Sequence, residues 1–195
     1  MRLDDEAYEE VKAEVANCIK QCRLKYPFSA RDLAKILGIK LVPYRFLKSE
    51  EVALAMITSK DAFLLEAGFH AIIFFNDEIL QERQEMSIFH EIGHFILEHN
   101  HDKTKSDEKK EAEAGFFAKY IMAPTVLVDL LPEKSSEAIE KIFKVSHQAA
   151  NIMQSNYRSW KGRFHGIYTD YEKTILAHGR EGILGLIGNL MKEVG

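Results

Sequence analysis

His90, Glu91 and His94 lie within one five-residue stretch of SIFHEIGHFILEH, residues 87–99, a run that is otherwise almost wholly apolar. Buried imidazole and carboxylate groups cost on the order of several kcal/mol when left unpaired, so this run implies a partner for them. On a helix, Ser87, His90, Glu91, His94 and Glu98 recur at spacings of three and four and share one face. The positions between them are Ile88, Phe89, Ile92, Gly93, Phe95, Ile96 and Leu97, which predicts a helix buried nearly all round with one polar stripe. Within that stripe, HEIGH is an H-E-x-x-H motif. Histidines at i and i+4 can grip one ion, and the glutamate between them lies close to a water on that ion.

A third ligand decides whether the histidine pair is a metal site. The metzincin pattern would need glycine at 97 and histidine at 100, where this chain has Leu97 and Asn100. His99 and His101 read as solvated residues at the helix end. The next helix is DEKKEAEAGFFAKYIM, residues 107–122. There Glu113, Phe116, Phe117 and Tyr120 fall at i, i+3, i+4 and i+7, which puts Glu113 on the buried stripe, while Glu111 lines up with Ala114, Gly115 and Ala118. A buried carboxylate needs a cation, so Glu113 is the expected third ligand, with Glu111 and His99 next in order. His90, His94 and Glu113 would then hold one zinc ion per chain with an open position, the catalytic arrangement. Gly93, Gly115 and Ala118 are small enough to let the two helices approach closely.

The elements that must position these residues follow from local signals. Residues 4–25 predict an amphipathic helix, and SARDLAKILG a short one, with Ser29 and Asp32 forming a capping box and Gly38 stopping it. IKLVPYRF, VALAMITS, AFLLEAG and HAIIFFN read as three or four strands of a small sheet. Asn76 and Asp77 cap the long helix over about 78–99. Beyond Pro124 the chain reads helical, with Ser146 opening one helix and TDYEKTILAH another. The fold class is therefore α+β, with residues 1–124 as a core and 125–195 as a helical region packed on it in one compact unit.

HEIGHFILEH followed by EAEAGFFAKYIMAP resembles the ImmA/IrrE family of metallo-endopeptidases. Its members show HELGH, then an E-A-N-x-F-A segment running into a Leu/Met-Pro sequence. Residues 90–94 match the first element, and Glu113, Ala114, Phe117, Ala118, Met122 and Pro124 match the second. A weaker likeness runs through LAKILGIKL, GFHAIIFFND and KVSHQAA, over roughly residues 30–150. Gly115 stands where the family usually has Asn, and Glu98 where a His is common. The resemblance implies a zincin-like core and cleavage of a DNA-binding helix-turn-helix repressor, often in a phage or mobile element.

On these grounds Glu91 is the expected general base of a zinc-dependent endopeptidase. Tyr120, His70, His147 and His165 are open candidates for stabilising the oxyanion. Strand 70–76, if it lies at a sheet edge, would dock the substrate as an added strand through Ile72 and Phe74. Two competing readings remain. One is a DNA-binding regulator using the helix pair at 134–160, with Ser146, His147, Gln148 and Asn151 offered to a groove. The other is a zinc-containing partner-binding module without proteolysis.

Composition bounds the rest. The 46% hydrophobic and 29% charged residues are ordinary for a globular chain of 195 residues, and the net charge of −4 predicts weak DNA binding and no attraction to anionic membrane. The acidic N-terminus shows no signal-peptide pattern, no segment reaches membrane-spanning length, and Cys18 and Cys22 read as reduced thiols. A cytoplasmic location is expected.

Overall fold

The computed structural model describes residues 3–68 and 70–193. It is α+β, with a small sheet and mostly helical remainder. The chain divides into two compact units: Met1–Val11 with Ser29–Ala118, and Lys12–Phe28 with Lys119–Gly195. Two of the three boundaries fall inside helices, α1 (Asp5–Gln21) and α5 (Asp107–Met122), and the third lies in the loop between Phe28 and Ser29.

In the first unit, α2 (Ala30–Leu37) is bounded as its sequence predicts. Ser29 Oγ accepts from the Asp32 amide at 3.1 Å, Asp32 Oδ2 accepts from the Ser29 amide at 2.9 Å, and Gly38 ends the helix at φ 72°. The sheet contains β1 (Lys40–Pro43), β2 (Ala62–Ala67) and β3 (His70–Phe75) in the order β1-β3-β2. β3 pairs parallel with β1 (Lys40 opposite Ile72) and antiparallel with β2 (Phe63 opposite Phe74, their rings stacked at 5.1 Å). Ala71, Ile73 and Phe75 form its buried face, and α4 (Gln81–Ile96) packs against β2 and β3.

This order corrects two expectations. Strand 70–76 is central, so no substrate strand can add beside it, and Ile72 and Phe74 are half-buried residues of an internal strand. Proline at either position would remove a ladder hydrogen bond from a strand paired on both sides. Ile72→Pro and Phe74→Pro should each abolish the cooperative thermal transition followed by circular dichroism. A soluble, cooperatively melting variant would contradict the central placement.

VALAMITS is not a strand but most of α3 (Ser49–Thr58). Glu51 accepts from the Lys48 amide at 2.8 Å, Glu50 and Glu51 sit in the positive first turn, and Ala53 to Met56 are good helix formers. The run is apolar without being buried, since Leu54 is 65% and Ile57 82% exposed.

The helix ends also differ from expectation. α1 stops at Gln21 because Arg23 turns left-handed (φ 50°), so that the Leu24 and Arg23 amides bond back to Ile19 and Lys20. α4 starts only at Gln81, because Asn76 Oδ1 accepts from the Glu78 amide and folds residues 76–79 into a turn. α5 keeps its predicted bounds.

In the second unit, α6 (Thr125–Val128) is wholly buried, and α7 (Ser136–Phe143) packs on α8 (His147–Arg163). Ser146 caps α8, as predicted, by accepting from the Ala149 amide. α9 (Asp170–Glu193) packs on α6, and its Gly182 lies against Tyr26, where a Cβ would fall 1.7 Å from the Tyr26 carbonyl oxygen. The Tyr26 hydroxyl donates to the Ile121 carbonyl at 2.6 Å. Among the described residues no helix is long and apolar enough to cross a membrane.

Candidate metal centre

His90 and His94 lie one turn apart on α4, and their Nε2 atoms approach to 3.1 Å. The carboxylate that meets them is Glu111, with Oε2 3.1 Å from His90 Nε2 and Oε1 3.3 Å from His94 Nε2. These are the residues that could hold an ion. A tetrahedral zinc with bonds of about 2.0–2.1 Å separates its ligand atoms by roughly 3.3 Å. The spacing therefore fits one divalent cation. Burial, with His90 and His99 alongside, pushes His94 down to about 3, so its imidazole is neutral and can offer a lone pair.

The structure thus brings Glu111, not Glu113, to the histidine pair. Glu113 is 1% exposed, as its stripe predicts, but its Oε2 lies 2.9 Å from His99 Nε2 and 2.8 Å from Lys105 Nζ. The signal that separates the two carboxylates is packing. A Cβ on Gly93 would lie 3.3 Å from the Ala114 backbone and 3.1 Å from the Phe117 ring. A Cβ on Gly115 would lie 3.9 Å from His90 Nδ1, so the face of α5 turned toward the histidine pair is the small-residue face, which carries Glu111. The aromatic stripe that carries Glu113 makes core.

His99 is not the solvated residue its position suggested; it is 1% exposed. Glu98 leaves the helix at φ 53°, and the His99 and Glu98 amides bond back to the His94 and Phe95 carbonyls at 3.0 and 3.2 Å. That turn takes Glu98 off the polar stripe and folds the His99 ring onto His94, Nδ1 to Nδ1 at 2.9 Å. His101 is solvated, as expected, with 73% of its side chain exposed.

Glu91 faces the sheet. Its Oε2 accepts from the Leu64 amide at 2.9 Å, so this edge-strand N–H points away from β3 to Glu91. A cleft of about 580 Å³ runs here between β2 and α4, lined by Ser59, Ala62, Phe63 and Leu64 on one side and His90 and Glu91 on the other. Burial pushes Glu91 up to about 8, with the neighbouring Glu111 carboxylate adding to the rise and the Leu64 hydrogen bond opposing it.

These shifts give the metal-free protein two opposed pH slopes. Folded Glu91 keeps its proton where the unfolded chain has lost it, so its contribution to stability falls as pH rises from about 4.5 to about 8. Neutral His94 works the other way, and its contribution falls as pH drops from 6.5 to about 3. Chelator-treated protein should therefore be most resistant to urea between pH 4.5 and 6.5, where the two slopes cancel. Glu91→Gln should flatten the alkaline slope, and an unchanged slope in that variant would remove Glu91 as its source.

Of the oxyanion candidates, Tyr120 is buried, while His70, His147 and His165 are exposed. None of the four lines the cleft. Ser146, His147, Gln148 and Asn151 are exposed at the start of α8, and His147 lies 3.1 Å from Glu140.

Residues 35–155 match the Peptidase_M78 family model, described as the IrrE N-terminal-like domain. The matched segment contains His90, Glu91, His94 and Glu111. No curated protein matches the chain.

Proposed function

Because this chain belongs to the Peptidase_M78 family, which supports a metallopeptidase-type function, we propose that it is a zinc-dependent endopeptidase in which His90, His94 and Glu111 hold the ion and Glu91 is the general base. The observation that carries this reading is the convergence of two imidazole Nε2 atoms and one carboxylate within 4.8 Å of one another, with Glu91 beside them in the same cleft.

When bound, zinc supplies Lewis acidity toward a water and a carbonyl. The protein's own groups do the rest. The Leu64 amide holds the Glu91 carboxylate at the cleft wall. Glu91 takes a proton from the water as the water oxygen adds to the scissile carbonyl carbon. It returns that proton to the amine nitrogen as the C–N bond breaks. A cation among His90, His94 and Glu111 opposes the burial that raises Glu91, favouring the carboxylate form a base requires.

The docking strand is β2 rather than β3. β2 is a sheet edge and lines the cleft, so an extended peptide can add to it through main-chain hydrogen bonds. The proposed substrate is a cytoplasmic helix-turn-helix repressor, cut in a linker or near its dimerising part.

The test is incubation of the purified zinc-loaded protein with such a repressor and with an unstructured protein, followed by mass spectrometry. Cleavage abolished by a zinc chelator is the expected result. Stoichiometric zinc with neither substrate cut would favour a partner-binding module instead.

A further inference from the structure

Buried Glu113 and His99, with the part-exposed Lys105, form a polar chain that the proposed chemistry does not use, and it ends on a ligand. We propose that Glu113 and His99 are positioning residues, fixing His94 as its Nδ1–H tautomer so that a bare Nε2 faces His90 and Glu111. This inference rests on the metal-centre reading above.

The hydrogen-bond directions follow from the contacts. Lys105 Nζ, a donor only, lies 2.8 Å from Glu113 Oε2, so that oxygen is an acceptor. His99 Nε2 stands 2.9 Å from the same oxygen and must carry the proton between them. With His99 and Glu113 each 1% exposed, a second ring proton would place another charge in the interior. The Nδ1 of His99 is then a lone pair. It lies 2.9 Å from His94 Nδ1, and two ring nitrogens at that distance need one proton between them. His94 supplies it, which leaves its Nε2 unprotonated, 3.1 Å from His90 Nε2 and 3.3 Å from Glu111 Oε1.

The backbone makes the arrangement rigid. The His99 amide donates to the His94 carbonyl at 3.0 Å, so main chain and ring both anchor His99 to the residue it orients. Partners of this kind fix tautomer and ring direction at metal-ligating histidines, and losing them weakens metal binding roughly 10- to 100-fold.

Two substitutions separate orientation from simple filling of the site. The Asn amide oxygen takes the place of the His Nδ1, so His99→Asn keeps the acceptor for His94. The Gln amide nitrogen takes the place of Nε2, so His99→Gln keeps the donor to Glu113 and loses that acceptor. Tautomers are read from imidazole ¹⁵N–¹H correlations in the metal-free wild-type protein, and zinc affinity from competition with a chelator. The expected results are an Nδ1–H His94 in wild type, a roughly 10- to 100-fold affinity loss in His99→Gln, and a change of no more than a few-fold in His99→Asn. An Nε2–H His94 in the wild-type protein overturns the proposal, as does an equal loss in both variants or none in His99→Gln. The tautomer is measured without metal or substrate, so a failure to cleave peptides would count against the proposed function and not against this assignment.

Discussion

Glu91→Gln should retain its zinc and lose peptide cleavage by about 10²- to 10⁴-fold in kcat. Gln is nearly isosteric, and its amide oxygen can still accept from the Leu64 N–H that holds Glu91 at 2.9 Å. What it lacks is a site for the water's proton, so the loss falls on the chemical step while substrate binding along β2 is kept. Elemental analysis and steady-state kinetics on one preparation separate these effects. If the variant cleaves at the wild-type rate, Glu91 is not the base.

Glu111→Ala should lose the ion. With the carboxylate gone, two imidazoles remain, and zinc content should fall well below one per chain. The stability readout is equally direct. An ion present at about a thousand times its Kd stabilises the folded state by about 4 kcal/mol, which for a chain of this size is a shift of roughly 8–16 °C in Tm. Wild-type protein should show that zinc-dependent shift, chelator should remove it, and Glu111→Ala should show almost none. Glu113→Ala should keep part of it, because it alters only the orientation of His94. Should Glu113→Ala abolish the shift while Glu111→Ala preserves it, the two carboxylates exchange roles.

The contrast between these carboxylates shows how far the sequence could be read. The H-E-x-x-H face, the capping box at Ser29 and the bounds of α5 were legible because each depends on spacing within one element. The apolar stripe of α5 shows that Glu113 is buried, but burial does not say which neighbour a face meets. The placement of Gly115 against His90 selects Glu111, and that is a tertiary fact. Strand order was hidden for the same reason, since HAIIFFN reads alike at an edge or in the middle of a sheet. His99 was hidden by a backbone event, a left-handed turn at Glu98 where no glycine signals it. VALAMITS reads as a strand because it is short and apolar, yet it is helical, with Leu54 and Ile57 facing solvent.

The contacts of Tyr26 have a consequence for how the chain folds. Its hydroxyl partner, Ile121, lies 95 residues downstream, and Leu24, two residues before it, has its carbonyl 3.3 Å from the Nδ1 of His178, 154 residues downstream. At the usual pace of synthesis, roughly 5–20 residues per second, the segment Lys12–Phe28 emerges on the order of ten to thirty seconds before the last of its partners. Until then Val15, Ile19 and Leu24, all buried in the finished protein, have no complete core to enter. The second unit is therefore the late-forming one, and its non-local closure should make it the slower to fold. The same connectivity governs dissection of the protein: a fragment starting at residue 125 would lack the Tyr26 backbone that fills the notch at Gly182, and would expose the groove instead of closing it.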